Sequence, residues 1–205
     1  MSKTNRNKFN MNYRVGFGGL GLMADNTMSL PGVMQYVLET SFFQTLSIPG
    51  QFQYYDERGL VWILTHWQIC AKRYPSVGEK INIATWPVRF KGYFCERAFE
   101  VTDASGESIL FANSNWILLD RVAQKPVRAI GIVADKYGEM FPFTLDKDFS
   151  MPKAGVMPLP LLSAHAYTPT RRDIDTNNHV NNRNIWSGCI VTCRKRFTTT
   201  IVRAT

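Results

Sequence analysis

The chain has 205 residues, 45% hydrophobic and 13% aromatic, enough to bury a sizeable core in one large domain or two small ones. No apolar run approaches the roughly 18 residues a membrane span needs, and the opening MSKTNRNKFNMNYRV is basic without the apolar stretch of a secretion signal, so a cytoplasmic protein without a membrane span is expected. The net charge of +8 favours an acidic partner, but charge alone does not choose among nucleic acid, a membrane surface and an acidic protein.

The start of the chain, KFNMNYRV, has strand character, and Gly16-Phe17-Gly18-Gly19-Leu20-Gly21 follows it in the spacing of a dinucleotide loop, with Glu39 at the distance of a ribose ligand. The context argues against that function. The third glycine should open a helix, but Ala24-Asp25-Asn26 and then Pro31 follow, so a glycine-rich bulge or bend in an edge strand is the simpler reading. Residues 31–47, PGVMQYVLETSFFQTLS, form the first predicted helix, with Ser29 as cap and Pro31 in the first turn. This helix is apolar around most of its circumference, as one buried on several sides would be. Pro49 and Gly50 break it, and 48–59 reads as a connection.

The period then changes. Residues 60–74, 79–88, 92–103 and 107–120 are rich in β-branched and aromatic side chains and are separated by the short turns at Pro75/Gly78, Lys91-Gly92 and ASG. Four consecutive strands with short turns predict an antiparallel meander, and one buried helix ahead of it predicts an α+β sheet wrapped around that helix. Residues 121–160 hold five of the ten prolines and read as a connector. The segment LLSAHAYTPTRRDIDTNNHVNN after it repeats the strand, loop and helix order of the chain's start, a weak internal repeat whose second copy has no room for its sheet.

Several features carry little chemistry. The four cysteines, Cys70, Cys95, Cys189 and Cys193, have no disulfide spacing, and Cys189-x-x-x-Cys193 lacks the second ligand pair of a metal site. His66 falls mid-strand among Trp62, Leu64 and Trp67, and His165 at a strand start, where hydrogen-bonded structural histidines are the simplest reading. Arg194, Lys195, Arg196 and Arg203 put four of the eight net charges after residue 184, in a tail with neither recognition helix nor zinc spacing, so no nucleic-acid partner is expected. No metal and no cofactor is expected either.

The segment DIDTNNHVNN, residues 173–182, is different in kind. Asp175, Asn177 and His179 alternate along an irregular or extended stretch, so their side chains project to one side before Val180 or Asn181 starts a helix. The free N–H groups at that start can hold a carbonyl or a developing oxyanion. A carboxylate that orients an amide, and a histidine that takes a proton near neutral pH, complete a hydrolytic half-site. Asp and Asn are also ordinary turn and cap residues, and spacing alone does not decide between the two readings.

The segment Arg171-Arg172-Asp173-Ile174-Asp175-Thr176-Asn177-Asn178-His179-Val180-Asn181-Asn182 resembles the motif R-x-D-L-D-x-N-x-H-V-N-N of the acyl-acyl carrier protein thioesterases, a family of bacterial and plant plastid enzymes. The upstream stretch RGLVWILTHWQICAKRYPSVGEKINIATWP is similar to that family's first domain, so the resemblance covers about residues 10–184. It implies tandem hotdog folds, each an antiparallel sheet around a long helix, with the second incomplete here. The implied layout is residues 1–130 as an acyl-binding N-terminal hotdog, 131–160 as linker, 161–184 as the start of a catalytic hotdog, and 185–205 as tail.

The implied activity is hydrolysis of a fatty acyl thioester on acyl carrier protein, with that acidic carrier as partner. Asp175 would fix the polar network, Asn177 would orient and donate a hydrogen bond, and His179 would act as acid or base. Asn181 and Asn182 would cap and position. The first domain has Asp25-Asn26-Thr27-Met28-Ser29 where the repeat would put the histidine motif, so that half is expected to bind without chemistry. Hotdogs commonly pair, which makes a homodimer one outcome, but the chain should already contain a pair. An acyl-coenzyme A hydrolase and a non-catalytic acyl-binding fragment are the alternatives.

After Asn184 the likeness stops, where the family continues with a Tyr-x-x-Trp helix start. Loss of one T from TAT-ATG-GAG-TGG turns Tyr-Met-Glu-Trp into Ile-Trp-Ser-Gly, which is what residues 185–188 read. A single-base frameshift, with residues 185–205 out of frame, is therefore the expectation, together with weak or absent activity because the second helix would lack its sheet. Resequencing the gene tests this: an intact frame with no thioesterase sequence in another frame downstream contradicts it.

Overall fold

A computed structural model of the protein describes residues 8–16, 22–23, 25–131, 133–137, 168–171, 174 and 199–203. The Ser29 hydroxyl accepts the Gly32 N–H at 3.2 Å and starts helix α1 (Leu30–Ser47), with Pro31 in the first turn, where its missing N–H costs nothing. Val33, Val37, Thr40 and Gln44 recur at helical spacing and form its buried face. The flank holding Phe42 and Leu46 is 47% and 44% exposed, so part of the apolar circumference faces outward. The break at Pro49 is also shorter than expected. Gly50, in the left-handed region at φ 70°, restarts the chain as a second helix α2 (Gln51–Glu57).

Strands β1 (Phe9–Arg14), β2 (Leu60–Ala71), β3 (Lys80–Lys91), β4 (Phe94–Asp103), β5 (Ser108–Asp120), β6 (Lys125–Pro126) and β7 (Thr199–Arg203) form one seven-stranded sheet in the order β1-β3-β4-β5-β2-β7, with β6 on β5. Each of these strands pairs antiparallel with its neighbours. The four-strand meander is therefore corrected: β3, β4 and β5 follow one another by hairpins, but β2 lies beside β5 on the far side of them. Strand pattern reports burial and turn length, whereas neighbour choice depends on the path across the helix. A central helix followed by a sheet of order 1-3-4-5-2 is the hotdog arrangement, and the fold is α+β as expected.

Among the described residues the sheet has three irregularities, one of them a shift between Val101 and Thr102 where β4 meets β5. The register shifts between Leu64 and His66 on β2 and between Pro87 and Arg89 on β3, and an extra residue in one strand bends it and increases its twist. Pro87 is tolerated inside a central strand because the ladder is already interrupted there. The β3–β4 turn needs Gly92, at φ 60°, and β3 continues to Lys91 past the expected end at 88.

Residues opposite one another on paired strands share a face. Ile81, Ile83, Phe99, Val101, Leu110, Ala112 and Ile69 follow one face through the register, and all are at most 3% exposed. Tyr13, on the same face through its pairing with Ile81, lies 3.0 Å from Thr40 Oγ1 of α1, so this is the face turned to the helix. Ala84, Trp86, Val88, Ala98 and Phe111 form a second buried cluster on the opposite face. Among the described residues no helix is long and apolar enough to cross a membrane.

The β4–β5 turn is held by Asp103, whose Oδ1 accepts the Ser105 hydroxyl at 2.6 Å and the N–H groups of Ser105 and Glu107 at 2.9 and 3.1 Å. The Ser105 hydroxyl above all, with Arg73 beside it, lowers its carboxyl to about 2. A folded pKa below the unfolded value stabilises above the unfolded range, and that contribution disappears as pH falls through about 2. A carboxyl titration followed by NMR should place the Asp103 midpoint near 2; a midpoint in the ordinary Asp range contradicts the hydrogen-bonded turn.

The chain divides into two compact units, Met1–Leu145 with Thr198–Thr205, and Asp146–Phe197. The first contains the sheet and both helices. The second has few described residues: an exposed stretch at 168–171 and the bridge residue Ile174.

Candidate functional site

Asp175, Asn177 and His179, the residues that carry the hydrolytic reading, lie outside the described residues, as do Asn181, Asn182, His165, Cys189 and Cys193. Within 173–182 the described residue is Ile174, 38% exposed. The geometry that can be built from side chains belongs to the first unit.

The loop entering α1 is the segment that the sequence reading set against the histidine motif. Asp25 Oδ1 accepts the Thr27 N–H at 3.1 Å and its hydroxyl at 2.6 Å, Asn26 takes the left-handed conformation at φ 61°, and Ser29 caps α1. Its polar side chains make a turn and a cap. Residues 17–21 of the glycine-rich segment lie outside the described residues. His66 lies on the sheet face turned away from α1, opposite Asn115, with Nδ1 3.3 Å from Thr65 Oγ1.

Between sheet and helix the surface is mainly apolar, with the Tyr13–Thr40 contact and one polar belt. Thr85 on β3, Arg97 on β4 and Ser114 on β5 face α1, and Gln44 meets them from the helix; all four are buried. Arg97 Nη1 donates to Gln44 Oε1 and, at 3.0 Å, to Thr85 Oγ1, which donates in turn to the Ala98 carbonyl at 3.1 Å. Ser114 donates to the Arg97 carbonyl at 3.2 Å and accepts the Trp116 indole N–H at 2.7 Å. The ring of Tyr137, from the 3-10 turn Ala134–Tyr137, lies 5.4 Å from the Arg97 guanidinium carbon.

The belt separates two apolar regions. On one side lie Ile83, Phe99, Val101 and Leu110 with Val33 and Val37 of α1; on the other lie Tyr55, Phe90, Cys95, Leu118, Ala129 and Val133, with Trp62 and Trp116 packed against them. Tyr55 accepts the Trp62 indole N–H at 3.0 Å, and burial raises its phenol above the ordinary range, so it stays protonated. Burial likewise pushes the Cys95 thiol up to about 12, which leaves it a packing group rather than a nucleophile. Among the described residues no group of three or more His, Cys, Asp or Glu side chains could hold a metal ion.

An open groove of about 900 Å³ lies elsewhere, lined by Asn12, Arg14, Lys80, Asn82, Asp103 and Ser105 among others. Of the groups that line it, Arg14 donates to the Gly78 carbonyl, Asn82 donates to Asn12, and Asp103 holds Ser105 and pairs with Arg73. The polar belt is what sequence reasoning missed. Its signal was present: Cys95, Arg97, Phe99 and Val101 alternate along one strand, which puts an arginine in the register of the buried face.

Residues 6–137, which include both helices and strands β1 to β6, match the family model of the acyl-ACP thioesterase N-terminal domain. The chain belongs to the acyl-ACP thioesterase family. It is 25% identical over 185 residues to a chloroplastic acyl-[acyl-carrier-protein] hydrolase of Cuphea viscosissima, a match covering 85% of this chain and 44% of that relative. The chain therefore spans less than half the length of that family member. Among solved structures, an acyl-ACP thioesterase from Bacteroides thetaiotaomicron superposes with a TM-score of 0.73 at 19% identity, covering 91% of this chain and 73% of the other. The 12:0-ACP thioesterase of Umbellularia californica gives 0.70 at 19% identity, covering 88% and 68%. These two likenesses bear on the fold, and they agree with the hotdog read from strand order.

Proposed function

We infer that this chain hydrolyses fatty acyl thioesters carried on acyl carrier protein, releasing free fatty acid in the step that ends chain growth. The observation that carries the reading is the family match over residues 6–137, and the DIDTNNHVNN segment supplies the polar groups that hydrolysis needs. The first hotdog is the acyl-binding half. Its helix-facing tract is apolar on both sides of the polar belt, and the loop before α1 has a turn and a cap in place of a histidine. In tandem with it, residues 161–184 begin the catalytic hotdog.

Hydrolysis adds the oxygen of water to the thioester carbonyl carbon, breaks the C–S bond and delivers a proton to the departing sulfur. His179 serves as the base that takes the water proton and the acid that returns it. Asn177 donates a hydrogen bond that orients the reacting groups, and Asp175 fixes the network around them. An acidic carrier suits a chain of net charge +8, through steering more than through tight contact.

Steady-state rates with the same acyl group on carrier protein and on coenzyme A test the reading. The carrier thioester should have the higher kcat/KM. A preference for the coenzyme A ester favours the alternative hydrolase, and binding of both without turnover favours a non-catalytic acyl-binding protein.

A further inference from the structure

Resting on the reading that the first hotdog holds an acyl chain, we propose that Arg97 is the seat of a carboxylate: a free fatty acid binds this domain with its head on the guanidinium. It binds there more tightly than a neutral ester or alcohol of the same chain. Arg97 is 6% exposed on the helix-facing side of the sheet, where its neighbours two positions away are the buried Cys95 and Phe99. Its partners there are Gln44 Oε1, Thr85 Oγ1 and the Tyr137 ring, and all are neutral. Among the described residues no carboxylate pairs with it. A buried cation without a counter-charge is costly, and an apolar residue at this place would fit the surrounding core.

The partners also leave one edge of the group unused. Both neutral acceptors sit on Nη1, so among the described residues the Nε and Nη2 N–H groups have no acceptor. That edge presents two parallel donors, the fork that a carboxylate accepts side-on. A single cation matches a monoanion; a phosphate dianion would call for further charge. The side chains on either side of the belt are apolar, the chemistry that suits a hydrocarbon tail, so the ligand is a carboxylate with a long apolar chain. Of the side chains touching the guanidinium, Tyr137 is the half-exposed one. The thioester has no charge, so the site distinguishes product from substrate, and the released acid competes for the acyl tract.

Calorimetric titration of the full chain with lauric acid, lauryl alcohol and methyl laurate, at a pH where the acid is ionised, tests the proposal. The acid should bind about 10- to 100-fold more tightly than either neutral ligand, the range of a charge-assisted bidentate pair. Arg97→Met should bring the acid down to the ester's affinity, and Arg97→Lys should keep part of the difference. Equal affinity for acid and ester on the unaltered chain overturns the proposal, with no variant needed, and leaves the acyl-binding reading intact. Absence of binding by all three ligands overturns both. An Arg97 that only ties α1 to the sheet would alter melting in the variants without any head-group preference.

Discussion

Replacing His179 with alanine should lower fatty acid release from a carrier-protein thioester by about 10²- to 10⁴-fold, the usual contribution of a positioned general acid–base. The loss should fall on kcat more than on KM, because the imidazole acts on the attacking water and the leaving sulfur while the acyl chain is held elsewhere. His179 stands two positions after Asn177 and four after Asp175, in the segment that resembles the family motif. Asp175→Asn should give a smaller loss, since it removes a charge that organises the network and not the proton carrier. An alanine variant that turns over like the parent would remove His179 from the chemistry. Acyl binding measured in parallel separates a lost catalyst from a lost fold.

Phe99→Ala should destabilise the first unit by about 3–5 kcal/mol, the range for truncating a buried aromatic ring. Phe99 is fully buried in the middle of β4, on the face turned to α1, and its ring centroid is 5.4 Å from that of Trp67. The truncation removes the transfer gain and leaves a cavity that a central strand, paired on both sides by β3 and β5, cannot close by moving. Against a typical net stability of about 5–15 kcal/mol, the loss is a large share. Urea unfolding measures it, and Phe99→Leu should recover more than half. A change below about 1 kcal/mol would mean that Phe99 is not in the core described.

Much of this architecture was legible in the residues. An apolar run with Ser29 and Pro31 at its start marked α1, and the turn residues marked each hairpin end to within a few positions. Three things were not. The place of β2 beside β5 depends on how the chain crosses the helix, and no strand's own alternation records that. The bulges near Thr65 and Val88 change which alternate residues face inward, so Leu64 and Trp67 share a face despite their odd spacing. Gly50 was read as a stop, although a left-handed residue also serves to restart a helix. For the site the balance is reversed. Asp175, Asn177 and His179 were readable as a motif, whereas Arg97, Gln44, Thr85 and Ser114 come from four elements and are brought together only by folding.

The claim that the first hotdog carries the acyl chain is tested most directly by photo-crosslinking. A fatty acyl carrier protein with a diazirine near the end of its chain would be irradiated with this 205-residue chain, and adducts located by tandem mass spectrometry. Adducts should fall on the helix-facing residues of β3, β4 and β5, Ile83, Phe99, Val101 and Leu110 among them, and on α1 at Val33 or Val37. Adducts confined to the opposite face, at Trp86 or Phe111, or absent from residues 8–137 altogether, would contradict it.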